Sequence, residues 1–330
     1  MIATRLTQKL GIRHPIVQAG MGGAACADLA AAVSSAGGVG TLGMIRRSPA
    51  FIREQIRRTR ALTRQPFGVN LVPPVPSPEG IEAQFEVCLD ERVPMLSFFW
   101  CDPAPFVERC HAAGILVMQQ VGSAEEARHA VGAGVDVVIA QGHEAGGHVR
   151  GEVGLVAVLP AVVDAVAPVP VIAAGGIADG RGLAAALALG ADAVWVGTRF
   201  VASEEAESHP DYKKRLVGAR ETDTIHTELF HIGWPPHSPS RVLRNALTEG
   251  APAPAGVIAR NNLGDRIVEV PAFAAGGPTI HTEGQTELMA NYAGQGVAMI
   301  HEVLPAATIV ERMVAEAEAI IRDRLVPAVR

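Results

Sequence analysis

Short runs of β-branched and apolar residues alternate with longer, alanine-rich stretches through the first two thirds of the chain. The short runs predict buried strands of a parallel sheet, and the longer stretches predict amphipathic helices that cover it. Eight strands are predicted, at residues 15–18, 39–42, 67–70, 95–98, 115–119, 137–140, 169–173 and 193–196. Helices are predicted between them, at 28–36, 50–62, 80–91, 103–113, 124–133, 155–166 and 181–189.

The number and order of these elements favour an α/β fold of the (β/α)8 TIM barrel type, because eight strands within about 200 residues is the count of that fold. A short repeat agrees with repeated units: residues 134–138 (GVDVV) and 190–194 (GADAV) both pass from a glycine through an aspartate into a strand. A doubly wound sheet would give the same repeat, so the repeat alone leaves both folds open.

The pattern changes after Phe200. Residues 204–280 carry turn signals and little periodicity, and a closing helix is predicted at 303–325 with an early interruption at Pro305. We therefore expect the barrel and its closing helix to consist of residues 1–203 and 291–330. Residues 204–290 are expected to form a smaller lid or substrate subdomain after the eighth strand.

Composition excludes several classes of protein. The 330 residues are 48% hydrophobic, and 28 Lys and Arg against 34 Asp and Glu give a net charge of -6, which argues against a nucleic-acid or membrane binder. The cysteines form no CxxC pair and no Cys/His metal spacing, and are interpreted as core residues. With no apolar leader and no apolar run long enough for a bilayer, the sequence predicts a soluble, cytoplasmic protein.

Glycine-containing segments follow the last two predicted strands. Ala174-Gly175-Gly176 follows the seventh strand, and Gly197-Thr198 follows the eighth. In a TIM barrel these loops lie at the catalytic end and often bind phosphate, because glycine lets backbone N–H groups approach the phosphate oxygens. The glycines could instead only make tight turns, but two such loops on adjacent strands favour phosphate binding.

The segment QGHEAGGH after the sixth predicted strand carries the main candidate for proton transfer. Gly146 and Gly147 allow a flat ligand to approach the backbone and would place His148 over it. An imidazole has the pKa range for proton abstraction near neutral pH. The alternative is that His148 bonds a carbonyl within the loop, and His143 and Glu144 are interpreted as structural residues that hold the loop together.

Amide side chains end three other predicted strands, at Gln18, at Asn70 and at the pair Gln119 and Gln120. Amides supply both donors and acceptors, which matches a heterocycle with alternating C=O and N–H groups such as an isoalloxazine ring. Each amide could equally cap the carbonyl groups at its own strand end. Their convergence on one end of the barrel favours a ligand.

Together these motifs resemble the nitronate monooxygenases, formerly called 2-nitropropane dioxygenases. The resemblance lies in the segments 20–22 (GMG), 67–71 (FGVNL), 141–148 (QGHEAGGH), 174–180 (AGGIADG), 197–200 (GTRF) and 292–295 (YAGQ). It covers about residues 5–205 and resumes at 292–295. The resemblance indicates the superfamily more specifically than the substrate, because flavin-dependent enoyl reductases and NADH:quinone reductases share most of these motifs.

The resemblance implies a TIM barrel that holds non-covalent FMN. The phosphate would be held by Ala174, Gly175, Gly176, Gly197 and Thr198. The ribityl chain and ring would be lined by Gly20, Met21, Gly22, Asn70, Gln120, Gln141, Gly146 and Gly147. His148 matches the family's catalytic base, and Tyr292 and Gln295 match a C-terminal motif on the flavin side.

Two positions depart from the family's pattern. Gln120 stands where some relatives have a lysine, which changes the charge beside the flavin, and Gly22 stands where a bulkier polar residue is common, which leaves more room near the ring. The segment 225–290, with Trp234, His237 and Arg241, matches no assigned substrate site and is expected to shape the pocket.

The function that the resemblance implies is an FMN-dependent monooxygenase that oxidises alkyl nitronates or nitroalkanes with O2 to a carbonyl compound and nitrite. His148 would remove the α-proton of a neutral nitroalkane. One alternative is an NAD(P)H-dependent FMN reductase acting on a quinone or an enoyl thioester, and another is a phosphate-binding barrel without flavin chemistry. The expected partners are a small-molecule substrate and O2, with no nucleic acid and no membrane. The sequence is also compatible with a homodimer.

Overall fold

The computed structural model describes residues 2–73, 80–262, 267–326 and 328. Strands alternate with helices through its first two thirds. The strands are β1 (Ile16–Gln18), β2 (Gly40–Gly43), β3 (Phe67–Leu71), β4 (Met95–Phe98), β5 (Leu116–Val121), β6 (Val137–Gln141), β7 (Gly147–His148), β8 (Val171–Ala174) and β9 (Ala193–Val196). The helices are α1 (Arg5–Leu10), α2 (Ala27–Ser35), α3 (Pro49–Leu62), α4 (Gly80–Asp90), α5 (Ala104–Ala112), α6 (Ala124–Gly132), α7 (Leu155–Val166) and α8 (Gly180–Ala188).

All of these strands except β7 belong to one parallel sheet, in the order β1-β9-β8-β6-β5-β4-β3-β2. A parallel bridge between Val17 and Val39 joins its two edges and closes the barrel. The predicted (β/α)8 barrel is therefore confirmed, and the doubly wound alternative is wrong. Each observed barrel strand begins and ends within two residues of its predicted bounds.

Side chains of the barrel strands alternate between two cores, as the pleat of a strand requires. One set fills the barrel interior and includes Val17, Met95, Met118, Val137, Ile139, Ile172, Ala174, Ala193 and Trp195. The alternate set, which includes Val69, Leu96 and Val138, packs in the outer core with helix residues such as Leu29 and Leu159. Most strand residues are thus buried on both faces of the sheet, which accounts for their continuous apolar sequence.

The rest of the chain forms elements outside the barrel. They are α9 (Thr198–Val201), α10 (Pro210–Val217), β10 (Thr224–Thr227), β11 (Ser240–Leu243), β12 (Val257–Asn262), β13 (Ile267–Pro271), β14 (Thr282–Gly284) and α11 (Ala306–Ile320). Short 3-10 turns lie at Glu221–Asp223, Thr286–Leu288 and Gln295–Met299, and a π-helical turn at Ile321–Leu325 follows α11. The closing helix begins after Pro305, not at residue 303, because Pro305 occupies the N-cap position.

Two small antiparallel sheets come from the segment after the barrel. One has the order β10-β11-β7 and the other has the order β13-β12-β14. The first sheet incorporates residues of the loop after β6, so this segment is joined to the barrel by backbone hydrogen bonds. Within the described residues, no helix is long and apolar enough to cross a membrane.

Candidate active site

The predicted amide and glycine positions converge at the carboxyl-terminal end of the barrel strands. Asn70, Gln120, Gln141, Ala174 and Gly197 lie at the carboxyl ends of five different strands. The last four each come two residues after an interior residue of the same strand, and Asn70 donates to the Oγ of Ser97, which comes two residues after the interior residue Met95. They therefore form the uppermost inward-facing layer of the barrel, which is where TIM barrels place their ligands. The prediction that these residues share one site is consistent with this placement.

Gln120 is the amide of this layer that has no partner in the described part of the chain. It is half-buried, whereas its neighbour Gln119 has the opposite parity, is buried, and donates to the Cys101 carbonyl. Gln18 also has the outward parity, and its amide bonds the backbone N–H and C=O of Thr41. Of the amides considered from sequence, Gln18 and Gln119 are thus structural, and Gln120 is available to a ligand.

The side chain of Gln141 holds the loop that carries His148. Its Nε2 donates to the His148 carbonyl at 2.9 Å, and its Oε1 accepts from the Arg150 N–H at 2.9 Å. The Glu144 carboxylate accepts from the Leu155 N–H at the start of α7. Glu144 therefore ties the loop to the barrel, as expected, and Gln141 acts here as a positioning residue.

His148 itself lies in β7, which pairs with β11 so that His148 faces Ser240 in register. Its neighbour Gly147 has a φ of 79°, and apart from its chain neighbours a Cβ there would meet no atom of the described residues within 4 Å. Open space beside Gly147 suits a ligand that approaches the backbone. The histidine is thus fixed on a sheet completed by the segment after the barrel.

Three aromatic rings surround the imidazole of His148. Trp234 stacks on it with ring centroids 3.3 Å apart and planes inclined by 13°. Trp100 lies edge-on at 6.2 Å, and Tyr292 lies at 5.6 Å. His148 is only 7% exposed as a result.

The electrostatics of this pocket keep His148 neutral. Burial, together with the nearby positive charge of Arg46, lowers the pKa of His148 to about 3. Its buried Nε2 atom has no hydrogen-bond partner within the described residues. A neutral imidazole with a free ring nitrogen can accept a proton from a substrate placed against it.

The two glycine loops present backbone donors. Gly175 and Gly176 adopt φ values of 112° and 68°, which only glycine adopts easily. Within the described residues, the N–H groups of Gly175, Gly176, Gly197 and Thr198 donate to no protein acceptor. Four unpaired donors on adjacent strand ends fit a phosphate group.

The loop after β1 lies beside these donors. Gly197 faces Met21, since a Cβ on Gly197 would lie 3.6 Å from the Met21 Sδ. Gly20 packs against Asn70, and Gly22 packs against Ile45. Gly20, Met21 and Gly22 thus lie at the same end of the barrel as the phosphate donors and the inward amides.

The segment predicted from its C-terminal motif also reaches the site. Gly294 donates to the Thr198 Oγ1 at 3.0 Å, and the Gln295 N–H donates to the Glu144 carbonyl at 2.9 Å. Tyr292, besides its contact with His148, donates from its hydroxyl to the Ala275 carbonyl. This segment therefore lies between the phosphate donors and the His148 loop.

Three residues of the site were not predicted from sequence. Trp100 and Arg46 each follow a barrel strand, and both have left-handed φ values, of 64° and 57°. Their position just after β4 and β2 is a signal that could have identified them, because TIM-barrel sites are built from such residues. Trp234 comes from the segment expected to shape the pocket, but the sequence holds no signal that places its ring against His148.

Comparisons with known proteins agree with this geometry. The family model described as nitronate monooxygenase matches residues 3–316. The structure of FabK from Thermotoga maritima superimposes with a TM-score of 0.83 at 36% identity, covering 98% of each chain. A nitroalkane oxidase from Streptomyces ansochromogenes superimposes with a TM-score of 0.77 at 33% identity, covering 95% of this chain and 97% of the other.

A third similarity is to a dehydrogenase of a CoA thioester. The (3aS,4S,5R,7aS)-5-hydroxy-7a-methyl-1-oxo-octahydro-1H-indene-4-carboxyl-CoA dehydrogenase of Mycobacterium tuberculosis is 38% identical over 252 residues. The alignment covers 75% of this chain and 68% of that enzyme. Relatives of this chain therefore carry names that refer to more than one oxidation chemistry.

Proposed function

Because the chain belongs to the nitronate monooxygenase family, we propose that it is an FMN-dependent enzyme that oxidises alkyl nitronates, or nitroalkanes, with O2. The products are a carbonyl compound and nitrite. The observation that carries the proposal is the state of His148, which is buried and neutral at the barrel mouth with an unpartnered Nε2. A neutral imidazole with an available ring nitrogen can accept the α-proton of a nitroalkane.

FMN fits the residues at the carboxyl-terminal end of the barrel. Its phosphate is assigned to the unpaired N–H groups of Gly175, Gly176, Gly197 and Thr198, beside Ala174. All of the other proposed lining residues except Gln141 keep part of their surface exposed, so a ligand can contact them. These residues are Gly20, Met21, Gly22, Asn70, Gln120, Gln141, Gly146, Gly147, Tyr292 and Gln295. When bound, FMN supplies the electron acceptor for oxidation of the substrate.

The protein's own part in the reaction is to move a proton and to exclude water. His148 accepts the α-proton of a neutral nitroalkane at Nε2, and the anion formed beside it offsets the cost of a buried imidazolium. A substrate that arrives as a nitronate does not need this step. Trp100, Trp234 and Tyr292 keep water from the imidazole.

Residues 204–290 are proposed to act as the lid or substrate subdomain of this barrel. Trp234 from this segment covers His148, and β11 pairs with β7. The segment thus controls access to the base and supports the strand on which the base lies.

A second candidate is an NAD(P)H-dependent FMN reductase acting on a quinone or an enoyl thioester. It is favoured by the similarity to FabK, an enoyl reductase, at 36% identity over 98% of the chain. The similarity to a CoA-thioester dehydrogenase at 38% identity supports the same class of substrate.

The visible spectrum of the purified protein, followed by anaerobic additions in separate cuvettes, tests both candidates. Flavin bands that ethylnitronate bleaches and NADH leaves unchanged support the nitronate monooxygenase. Bleaching by NADH, and not by ethylnitronate, assigns the reductase. A protein that shows no flavin bands even after addition of FMN contradicts both candidates and leaves a phosphate-binding barrel.

A further inference from the structure

We infer that Arg46 binds the planar oxyanion of the substrate and so selects anionic substrates. The identity of the anion rests on the proposed function: the anion is a nitronate, and Arg46 binds its two oxygen atoms. The inference gives a role to a residue that lies outside the motifs of the family resemblance.

Arg46 lies at the barrel mouth, just after β2, next to the segment that covers His148. A Cβ on Gly233 would come within 2.3 Å of the Arg46 Nη2 atom, so the guanidinium lies directly against the turn that precedes Trp234. The backbone of Arg46 adopts a left-handed φ of 57°, a costly conformation for a residue with a side chain. The fold thus holds this guanidinium against the lid.

Within the described residues, no counter-charge pairs with the guanidinium of Arg46. Its Nη2 is buried without a hydrogen-bond partner, and among the residues that the structure describes no carboxylate or carbonyl pairs with Arg46. Arg241, which belongs to the lid, differs because it donates two hydrogen bonds to the His143 carbonyl. Arg46 as a whole is half-buried, but a charged donor atom that is buried without a partner is costly, so this guanidinium at a substrate site indicates an anionic ligand.

The position of Arg46 relative to the base fits this ligand. Its positive charge is near enough to lower the pKa of His148, and it also opposes the rise that burial causes in the pKa of Tyr292. The His148 Nε2 is another buried polar atom that lacks a partner within the described residues. One small anion satisfies both, because the planar guanidinium can donate two parallel N–H groups to two oxygens while the imidazole faces the adjacent carbon.

Propionate and propionamide provide the matched probes. Propionate has the shape and charge of the nitronate of nitroethane but cannot be oxidised at a nitro carbon, and propionamide is its neutral counterpart. Calorimetric titration of the FMN-loaded protein should show that propionate binds at least about tenfold more tightly than propionamide. Arg46→Met should weaken propionate at least about tenfold and leave propionamide unchanged.

Two further variants separate charge recognition from packing. Arg46→Lys keeps the charge and loses the planar pair of donors, so its loss of propionate affinity should be intermediate. Arg47→Met removes a positive charge one residue away, where the guanidinium lies over the Phe51 ring, and should bind propionate like the wild type. With ethylnitronate as substrate, Arg46→Met should raise KM more than it lowers kcat, and KM for nitroethane should change little.

The inference is overturned if the wild type does not bind propionate, if Arg46→Met weakens both probes equally, or if the folded variant loses FMN. These failures are distinct from failure of the proposed function. If the wild type oxidises ethylnitronate and Arg46→Met leaves its KM unchanged, only the inference fails. If the wild type does not oxidise ethylnitronate but binds propionate through Arg46, only the identity of the substrate fails.

Discussion

The indole of Trp234 stacks on the imidazole of His148, with ring centroids 3.3 Å apart and planes inclined by 13°. The two residues come from different parts of the chain: His148 follows a barrel strand, and Trp234 belongs to the segment after the barrel. The stacked ring removes water from one face of the base. A substrate that uses that face must displace the indole, so access to the base depends on the segment after the barrel.

Removal of this ring should raise the pKa of His148. Trp234→Ala admits water to the imidazole and reduces the desolvation that holds the pKa at about 3, so the pKa should rise toward the ordinary 6.5. The His148 ring signal in an NMR titration, identified by its loss in His148→Asn, measures this shift. Trp234→Phe keeps an aromatic ring and should shift less. An unchanged pKa in Trp234→Ala contradicts the assigned cause.

The low pKa of His148 also predicts acid sensitivity. Between about pH 6.5 and pH 3 the unfolded state binds a proton that the folded imidazole does not, so stability falls as pH is lowered through this range. His148→Asn should lose less stability than the wild type between pH 7 and about pH 4, by up to about 3 kcal/mol. Urea unfolding of both proteins at both pH values measures the difference. Equal losses would show that His148 is not held neutral by the fold.

Gly146→Ala is predicted to destabilise the folded protein for packing reasons. A Cβ there would lie 2.4 Å from the Gly294 backbone nitrogen, so Gly146→Ala must separate the His148 loop from the segment that holds Gln295. We expect a loss of about 1–3 kcal/mol in the free energy of unfolding. Gly132→Ala, at the end of α6 where a Cβ meets nothing within 4 Å, should be neutral or stabilising. Equal stability of the two variants would contradict the close approach.

A substitution at Gly197 tests cofactor binding separately from folding. Apart from its chain neighbours, the nearest described atom to a Cβ at Gly197 would be the Met21 Sδ at 3.6 Å, and the φ of Gly197 is not left-handed, so Gly197→Ala should leave the unfolding temperature unchanged. The extra methyl group would still occupy space beside the proposed phosphate donors. We expect FMN affinity to fall at least about tenfold, measured by fluorescence titration of the apoprotein. Unchanged affinity would place the phosphate elsewhere.

The barrel was predictable because the residue pattern that defines each strand and helix lies within a short stretch of sequence. Each strand is a short apolar run between amphipathic helices, and β4 and β9 have their predicted bounds, 95–98 and 193–196. The end of the barrel that holds the site follows from topology alone, since all parallel strands end there. This is why Asn70, Gln120 and Gly197 could be placed together before their contacts were known.

The cover of the site was not predictable in the same way. The pairing of β7 with β11 joins residues more than 90 positions apart, and neither strand has a marked alternating pattern. The stacking of Trp234 on His148 depends on that pairing. It also depends on the turn at Gly233, which packs against the guanidinium of Arg46. Interactions of this kind are set by tertiary packing and leave little trace in the local sequence.

The most direct test of the account compares kcat/KM, from oxygen consumption, for nitroethane and for ethylnitronate in the wild type and in His148→Asn. If His148 removes the α-proton, the variant should lose activity on nitroethane by a factor of about 100 or more and keep most of its activity on ethylnitronate. Equal losses on both substrates would contradict the role of His148 as the base.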